Sequence, residues 1–214
     1  AASDVYKRQP LAYYKFYAGE GGMRVPLIIS GEPVALVGPR TSAFAYVTDI
    51  TPTILELAGV SVPGSHYGGR PVEAMIGRSL LPLVRGQVDR IYQEDEPIGY
   101  ELAGNSALFQ GDYKLVRNRD PVGDGRWHLY NIVTDPGETQ DRAKAKPERF
   151  QSMLALYVQY EDDNGVLPVP ASYDQASQGI YNGLKARFTP QILIGLLTFL
   201  ALLPFYIGYR YRKR

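Results

Sequence analysis

The sequence predicts a mixed α/β chain that ends in a membrane-crossing helix. Three observations predict it. Val25-Pro-Leu-Ile-Ile-Ser30 is a continuous apolar run of strand length. Residues 106–163 hold three short strand-like segments and then a helix with one apolar stripe. The 22 residues from Phe188 to Tyr209 carry no charge.

Size and composition narrow the function classes. A chain of 214 residues suits one ordinary domain with additions. A net charge of +1 gives no electrostatic footprint for nucleic acid. Two histidines and no cysteine argue against a zinc cluster, a thiol nucleophile and a disulfide framework. Residues 1–10 show no apolar period and read as a ragged or foreign start, with an upstream part of the protein expected elsewhere.

The elements follow in order. The run Val25–Ser30 reads as a buried strand of a parallel sheet covered on both faces, ended by Gly31. Thr51 caps and Pro52 opens a helix whose apolar face is Ile54, Leu55 and Ala58, and Gly59 stops it. Residues 60–90 are a long Gly- and Pro-rich connection carrying Arg78-Ser-Leu-Leu-Pro-Leu-Val84. From residue 97 the texture changes. Ser106–Phe109, Tyr113–Arg117 and Arg126–Asn131 form an antiparallel meander, turning at Gln110-Gly-Asp112 and at 120–125. Pro147 opens a helix over 147–163 with Phe150, Met153, Leu154, Tyr157 and Val158 on one face, and Asn164-Gly165 stops it. Sheet and helix each have one face to cover, so they are expected to pack together.

Residues 166–187 read as a flexible juxtamembrane tether. As a helix, 188–209 spans about 33 Å, enough for a hydrocarbon core of roughly 30 Å. Pro190 sits near its start and Pro204 inside it. Lys185 and Arg187 flank one end. Arg210, Arg212, Lys213 and Arg214 flank the other, which predicts a cytoplasmic basic tail at 210–214. The preceding domain is then expected to be periplasmic or extracellular.

The stretch Lys15-Phe-Tyr-Ala-Gly-Glu20-Gly21-Gly22 carries the candidate chemistry. Its glycines are expected to let backbone N–H groups approach a ligand, and the lysine offers a compact cation, a combination suited to an anionic oxygen. Local chemistry alone favours an exposed lysine beside a turn, and only a wider resemblance overturns that. Glu20 and Arg24 read as an i,i+4 pair on the turn. Asp49 and Asp135 read as helix-approach and turn residues, and His128 as a packing or hydrogen-bonding group beside Trp127.

Five landmarks stand in order: Lys15 with Glu20-Gly-Gly-Met-Arg-Val-Pro26; Val47-Thr-Asp-Ile-Thr-Pro-Thr-Ile-Leu-Glu-Leu-Ala-Gly59; Gly77-Arg-Ser-Leu-Leu-Pro-Leu83; Gly111-Asp-Tyr-Lys-Leu115; and Trp127-His-Leu-Tyr-Asn131 followed by Asp135-Pro-Gly-Glu138. Together, over roughly residues 11–165, they resemble the C-terminal part of the type I sulfatase family. The resemblance implies an alkaline-phosphatase-like α/β core, whose C-terminal portion falls on 11–96. It also implies a small domain at 97–165, a four-stranded antiparallel sheet packed by a helix.

The resemblance implies hydrolysis of sulfate monoesters with a formylglycine nucleophile and Ca2+. Lys15 is then the sulfate-binding lysine. His66, Glu101 and Asn105 are candidate substrate contacts, because they fall where the loops and the small domain meet the cleft. This sequence has no Cys/Ser-x-Pro-x-Arg motif and no counterpart of the usual calcium ligands, so nucleophile and metal are expected from the missing N-terminal half of the same chain. The fragment itself is expected to be inactive. A phosphonate or phosphodiester hydrolase of the same superfamily, and a non-catalytic membrane-tethered binder of sulfated polymers, are the alternatives.

Overall fold

The computed structural model of the chain describes residues 10–31, 34, 40–170 and 172–212. The expected ragged start, apart from Pro10, lies outside the described residues, as do Lys213 and Arg214. The chain divides into two units, Ala1–Val166 and Leu167–Arg214, and the first takes in both 11–96 and 97–165.

The first unit is built around an antiparallel sheet of four strands in sequence order: β3 (Ile98–Leu102), β4 (Asn105–Gln110), β5 (Tyr113–Arg117) and β6 (Trp127–Asn131). A two-stranded hairpin, β1 (His66–Tyr67) and β2 (Arg70–Pro71), precedes it. The register aligns Leu108 with Leu115 and Leu115 with Leu129. Side chains alternate across a strand, so these three leucines share a face. Helix α4 (Pro147–Asn164) covers it with Met153 and Tyr157, and all five side chains are buried. Gly165, at φ 60°, ends the helix in the left-handed conformation expected there. The buried stripe runs through Met153 and Tyr157, with Phe150, Leu154, Leu156 and Tyr160 packed at its margins. Val158, expected on that stripe, is instead 55% exposed, because it lies past the edge of the helix face that the sheet covers.

Strand β3 was absent from the pattern-based reading. Its centre is Gly99, where a Cβ would stand 2.4 Å from the Tyr160 ring. The ring of α4 thus lies flat on the strand, and only glycine leaves room for it.

The region before the sheet departs further from expectation. Residues 24–30 form no strand and have no ladder partner among the described residues. Val25 and Ile28 are 77% and 88% exposed. A strand needs a neighbour for its N–H and C=O groups, and none among the described residues pairs with this run. The helix expected from Thr51 is α2 (Ile50–Leu57), entered through a 3-10 turn at Val47–Asp49. Thr51 lies inside the helix and is not its cap. Its buried residues are Pro52 and Thr53, while Ile54 is 58% exposed, so the expected apolar face is uncovered.

Asp49 organises this region. Its fully buried carboxylate accepts from Tyr46 N at 2.7 Å, Arg78 N at 2.8 Å and the Tyr92 hydroxyl at 2.6 Å. Thr53 Oγ1 accepts from Leu80 N at 2.8 Å, joining α2 to the short helix α3 (Leu81–Val84). Burial, and then the Asp49 carboxylate, push the Tyr92 hydroxyl pKa well up.

In the second unit, helix α5 (Gln175–Arg212) is continuous over 38 residues, about 57 Å at 1.5 Å per residue. The expected tether is therefore coil only at 166–174 among its described residues, and 175–187 is helical. Asp174 accepts from Ser177 N at 3.2 Å and caps the start. Once begun, a helix propagates more easily than it nucleates. Pro190 consequently lies in the helix interior, as Pro204 does. Ser177–Arg210 is long and apolar enough to cross a membrane.

Candidate functional site

The loop carrying Lys15 lies on the face of the sheet away from α4. Ala18 packs with Ala107, Phe109 and Val116, whose side chains alternate with the leucines of the helix face. Tyr17 N donates to Tyr14 O at 3.1 Å, closing a turn with Lys15 and Phe16 at its tip. Lys15 is exposed, its ammonium 5.6 Å from the centre of the Phe16 ring. Residues 17–20 are buried.

Four side chains from the sheet region hold this buried stretch. Asn105 Nδ2 donates to Phe16 O at 2.8 Å. Ala18 N donates to Asn118 Oδ1 at 2.7 Å. Glu20 N donates to Glu138 Oε2 at 2.8 Å. Lys114 Nζ lies 2.9 Å from both Glu20 Oε1 and Glu138 Oε1. Lys114 is fully buried, Glu20 and Glu138 nearly so. Burial pushes the Glu138 carboxyl pKa up, and the Lys114 ammonium opposes that rise. The expected Glu20–Arg24 pair is present at 3.7 Å on the rim.

The glycines serve packing and not ligand approach. A Cβ at Gly19 would stand 2.4 Å from the Tyr13 ring, at Gly21 2.4 Å from Tyr13 O, and at Gly22 2.1 Å from Tyr17 O. The helical turn α1 (Glu20–Met23) is thereby pressed against the preceding loop.

The structure brings together only two of the four candidates from sequence, Lys15 and Asn105. Asn105 is fully buried, with Oδ1 accepting from Arg119 N at 2.8 Å, so it supports the lysine turn from beneath. Glu101 pairs across from Ser106 and points to the helix face, where it accepts a hydrogen bond from the Tyr157 hydroxyl. Burial pushes its pKa up. His66 is exposed on the β1–β2 hairpin, its Nδ1 3.3 Å from Ser65 Oγ.

His128 makes the hydrogen bonds expected of it: Nε2 lies 3.0 Å from Asp124 Oδ1 and Nδ1 2.9 Å from Asp141 Oδ2. Burial lowers its pKa, but the two aspartates outweigh that and the net shift is upward. Asp135 accepts from Thr139 N and Gln140 N, each at 2.8 Å.

Lys114, Asn118 and Glu138 had no assigned role in the sequence. Lys114 and Glu138 did stand inside two of the five landmarks, and a lysine amid the apolar β5 run was the available signal. Among the described residues no group of three or more His, Cys, Asp or Glu side chains is arranged to hold a metal ion. The described residues therefore do not fit a calcium site of their own.

This arrangement, a lysine turn seated on a small antiparallel sheet that a helix backs, defines a class of mixed α/β chain. A solved structure described as Ps i-CgsB in complex with k-i-k-neocarrahexaose shares the fold, with TM-score 0.58 and 24% identity over 83% of this chain and 37% of that one. No protein-family profile matches the chain. An uncharacterized sulfatase of Schizosaccharomyces pombe is 30% identical over 177 residues, covering 82% of this chain and 32% of the relative. The N-acetylglucosamine-6-O-sulfatase of Bacteroides thetaiotaomicron is 24% identical over 70% of this chain and 29% of its own length. Arylsulfatase K of Xenopus laevis is 28% identical over 66% and 26%. The chain is thus a relative of the type I sulfatases, as its landmarks imply, and spans under a third of the length of these curated relatives.

Proposed function

We propose that this chain is the C-terminal part of a membrane-anchored sulfatase that hydrolyses sulfate monoesters, with Lys15 binding a sulfate oxygen. The observation that carries the reading is an exposed lysine at the tip of a turn that runs into four buried residues, 17–20, held in place from the sheet. A fixed cation stabilises negative charge that grows on a transferring group without having to reorganise. Lys15 would neutralise a sulfate oxygen and assist departure of the alcohol. The formylglycine nucleophile and the Ca2+ ligands would come from further polypeptide of the parent protein, so this stretch alone should not turn over. His66, on an exposed hairpin, stays a candidate substrate contact. The membrane reading rests on α5: residues 188–209 would cross the bilayer, with the basic end cytoplasmic and the first unit periplasmic or extracellular.

The test uses the intact parent polypeptide on matched aryl sulfate and aryl phosphate esters. Sulfate hydrolysis is expected to dominate, and Lys15→Ala to lower kcat/KM by about 10²-fold. Preference for the phosphate ester, or near-normal kinetics in Lys15→Ala, sinks the corresponding part of the reading. Removing 188–214 should release a protein that stays soluble without detergent.

A further inference from the structure

We infer that the small sheet is the mount that aims Lys15, and that Lys114 is its central positioning residue. The inference rests on the reading of Lys15 as the sulfate-binding group, and it assigns to β5 and to the turn after β6 a part in that same site.

The first observation is where the anchors come from. The turn makes a hydrogen bond or ion pair with Asn105, Lys114, Asn118 and Glu138, and all four belong to the sheet or the turns beside it. The bonds fall on Phe16 O, Ala18 N, Glu20 N and the Glu20 carboxylate, so each successive part of the backbone after Lys15 is fixed.

The second observation is backbone strain. Among the described residues four non-glycine residues have positive φ: Tyr13 at 67°, Phe16 at 81°, Ala103 at 54° and Glu138 at 52°. Three of them lie in the lysine loop or in its anchor. Phe16 is the third residue of the Tyr14–Tyr17 turn, the place where a positive φ is usually left to glycine. Such conformations persist only where the surroundings over-determine them.

The third observation is the burial of charge. A fully buried lysine between two carboxylates brings less stability than its geometry suggests, since an apolar trio of the same volume would serve about as well. What the ions add is direction. Lys114 can meet both carboxylates only with Glu20 and Glu138 in one arrangement, and that arrangement sets where the turn leaves the sheet. The Phe109 ring beside the ammonium, 5.1 Å to its centre, closes the remaining side.

Hydrogen–deuterium exchange on the 214-residue chain in detergent micelles tests this. Lys114→Met is expected to speed exchange of amides 16–22 by about tenfold or more while α4 keeps its protection. Lys114→Arg, which retains a cation between the carboxylates, should return most of the loop protection. Unchanged loop exchange in Lys114→Met overturns the inference. If α4 also loses protection, Glu138→Gln decides: it removes one charge and leaves an acceptor for Glu20 N. Faster exchange at 18–22 with α4 intact supports the inference, and any other pattern overturns it. These measurements need no turnover. In the active parent polypeptide, Lys114→Met should lower kcat per folded molecule by about 10- to 100-fold, with rescue by Lys114→Arg. An inactive wild type counts against the sulfatase reading alone. An active one with unchanged kcat in Lys114→Met counts against the mount.

Discussion

Lys114 and Leu115 are neighbours on β5 and enter opposite faces of one sheet. Leu115 meets Leu108, Leu129, Met153 and Tyr157, a set held by shape and by removal from water. Lys114 meets two carboxylates, beneath a loop whose backbone is held by two asparagines and a glutamate. On the helix face, apart from the Tyr157 hydroxyl, which donates to Glu101, the side chains are apolar and non-directional, so the partners can adjust when one side chain changes. The loop face adds to its own apolar contacts a few polar partners, each with a required direction, and these fix one conformation of one loop. Stability and aim are thus handled on different sides of the same strands.

Substitutions on each face can break or sharpen that division. The largest stability loss is expected from Leu115→Ala, about 2–5 kcal/mol by urea denaturation, lowering protection of α4 and sheet together. An effect confined to the lysine loop would abolish the distinction. A matched pair comes next. Asn118→Ala leaves Ala18 N buried without its acceptor, for about 1–3 kcal/mol, with faster amide exchange centred on residue 18. Gly99→Ala drives a Cβ into the Tyr160 ring, for about 1–3 kcal/mol, with the change read at α4 and not at the loop.

The smallest effect is expected at His128, which sits on the loop-side surface between Asp124 and Asp141. Its folded pKa is raised, so its contribution is complete below the unfolded value of about 6.5 and is lost as pH rises through the folded value. The stability difference between wild type and His128→Asn should therefore shrink as pH rises above about 6.5. The two aspartates have lowered pKa values, so their share is lost only as pH falls below the usual aspartate range. A urea-midpoint series that is flat with pH would remove the histidine from the account.

The helix face was the more legible side. Spacings of three and four between Phe150, Met153 and Tyr157 announce α4, and the turns at 110–112 and 120–125 set off β4, β5 and β6. Strand β3 left no such signal; its central residue is Gly99, and the reason for that glycine is a ring on a distant helix. Lys15 was marked out as a candidate by its place before the Glu-Gly-Gly run and by the landmarks that follow it. Its supports were not, since Asn105 and Glu138 stand 89 and 118 positions from the backbone groups they bind. No periodicity links residues that far apart. The Val25–Ser30 run misled for a related reason: its composition specifies a strand, but pairing requires a partner, and the described residues supply none.

That long separation also orders events in time. During synthesis at about 5–20 residues per second, the interval between Glu20 and Glu138 is on the order of ten seconds. Throughout it the lysine turn is already made and its last clamp does not yet exist. A nascent chain therefore carries Lys15 unaimed until the turn after β6 has left the ribosome, and only then closes its largest loop.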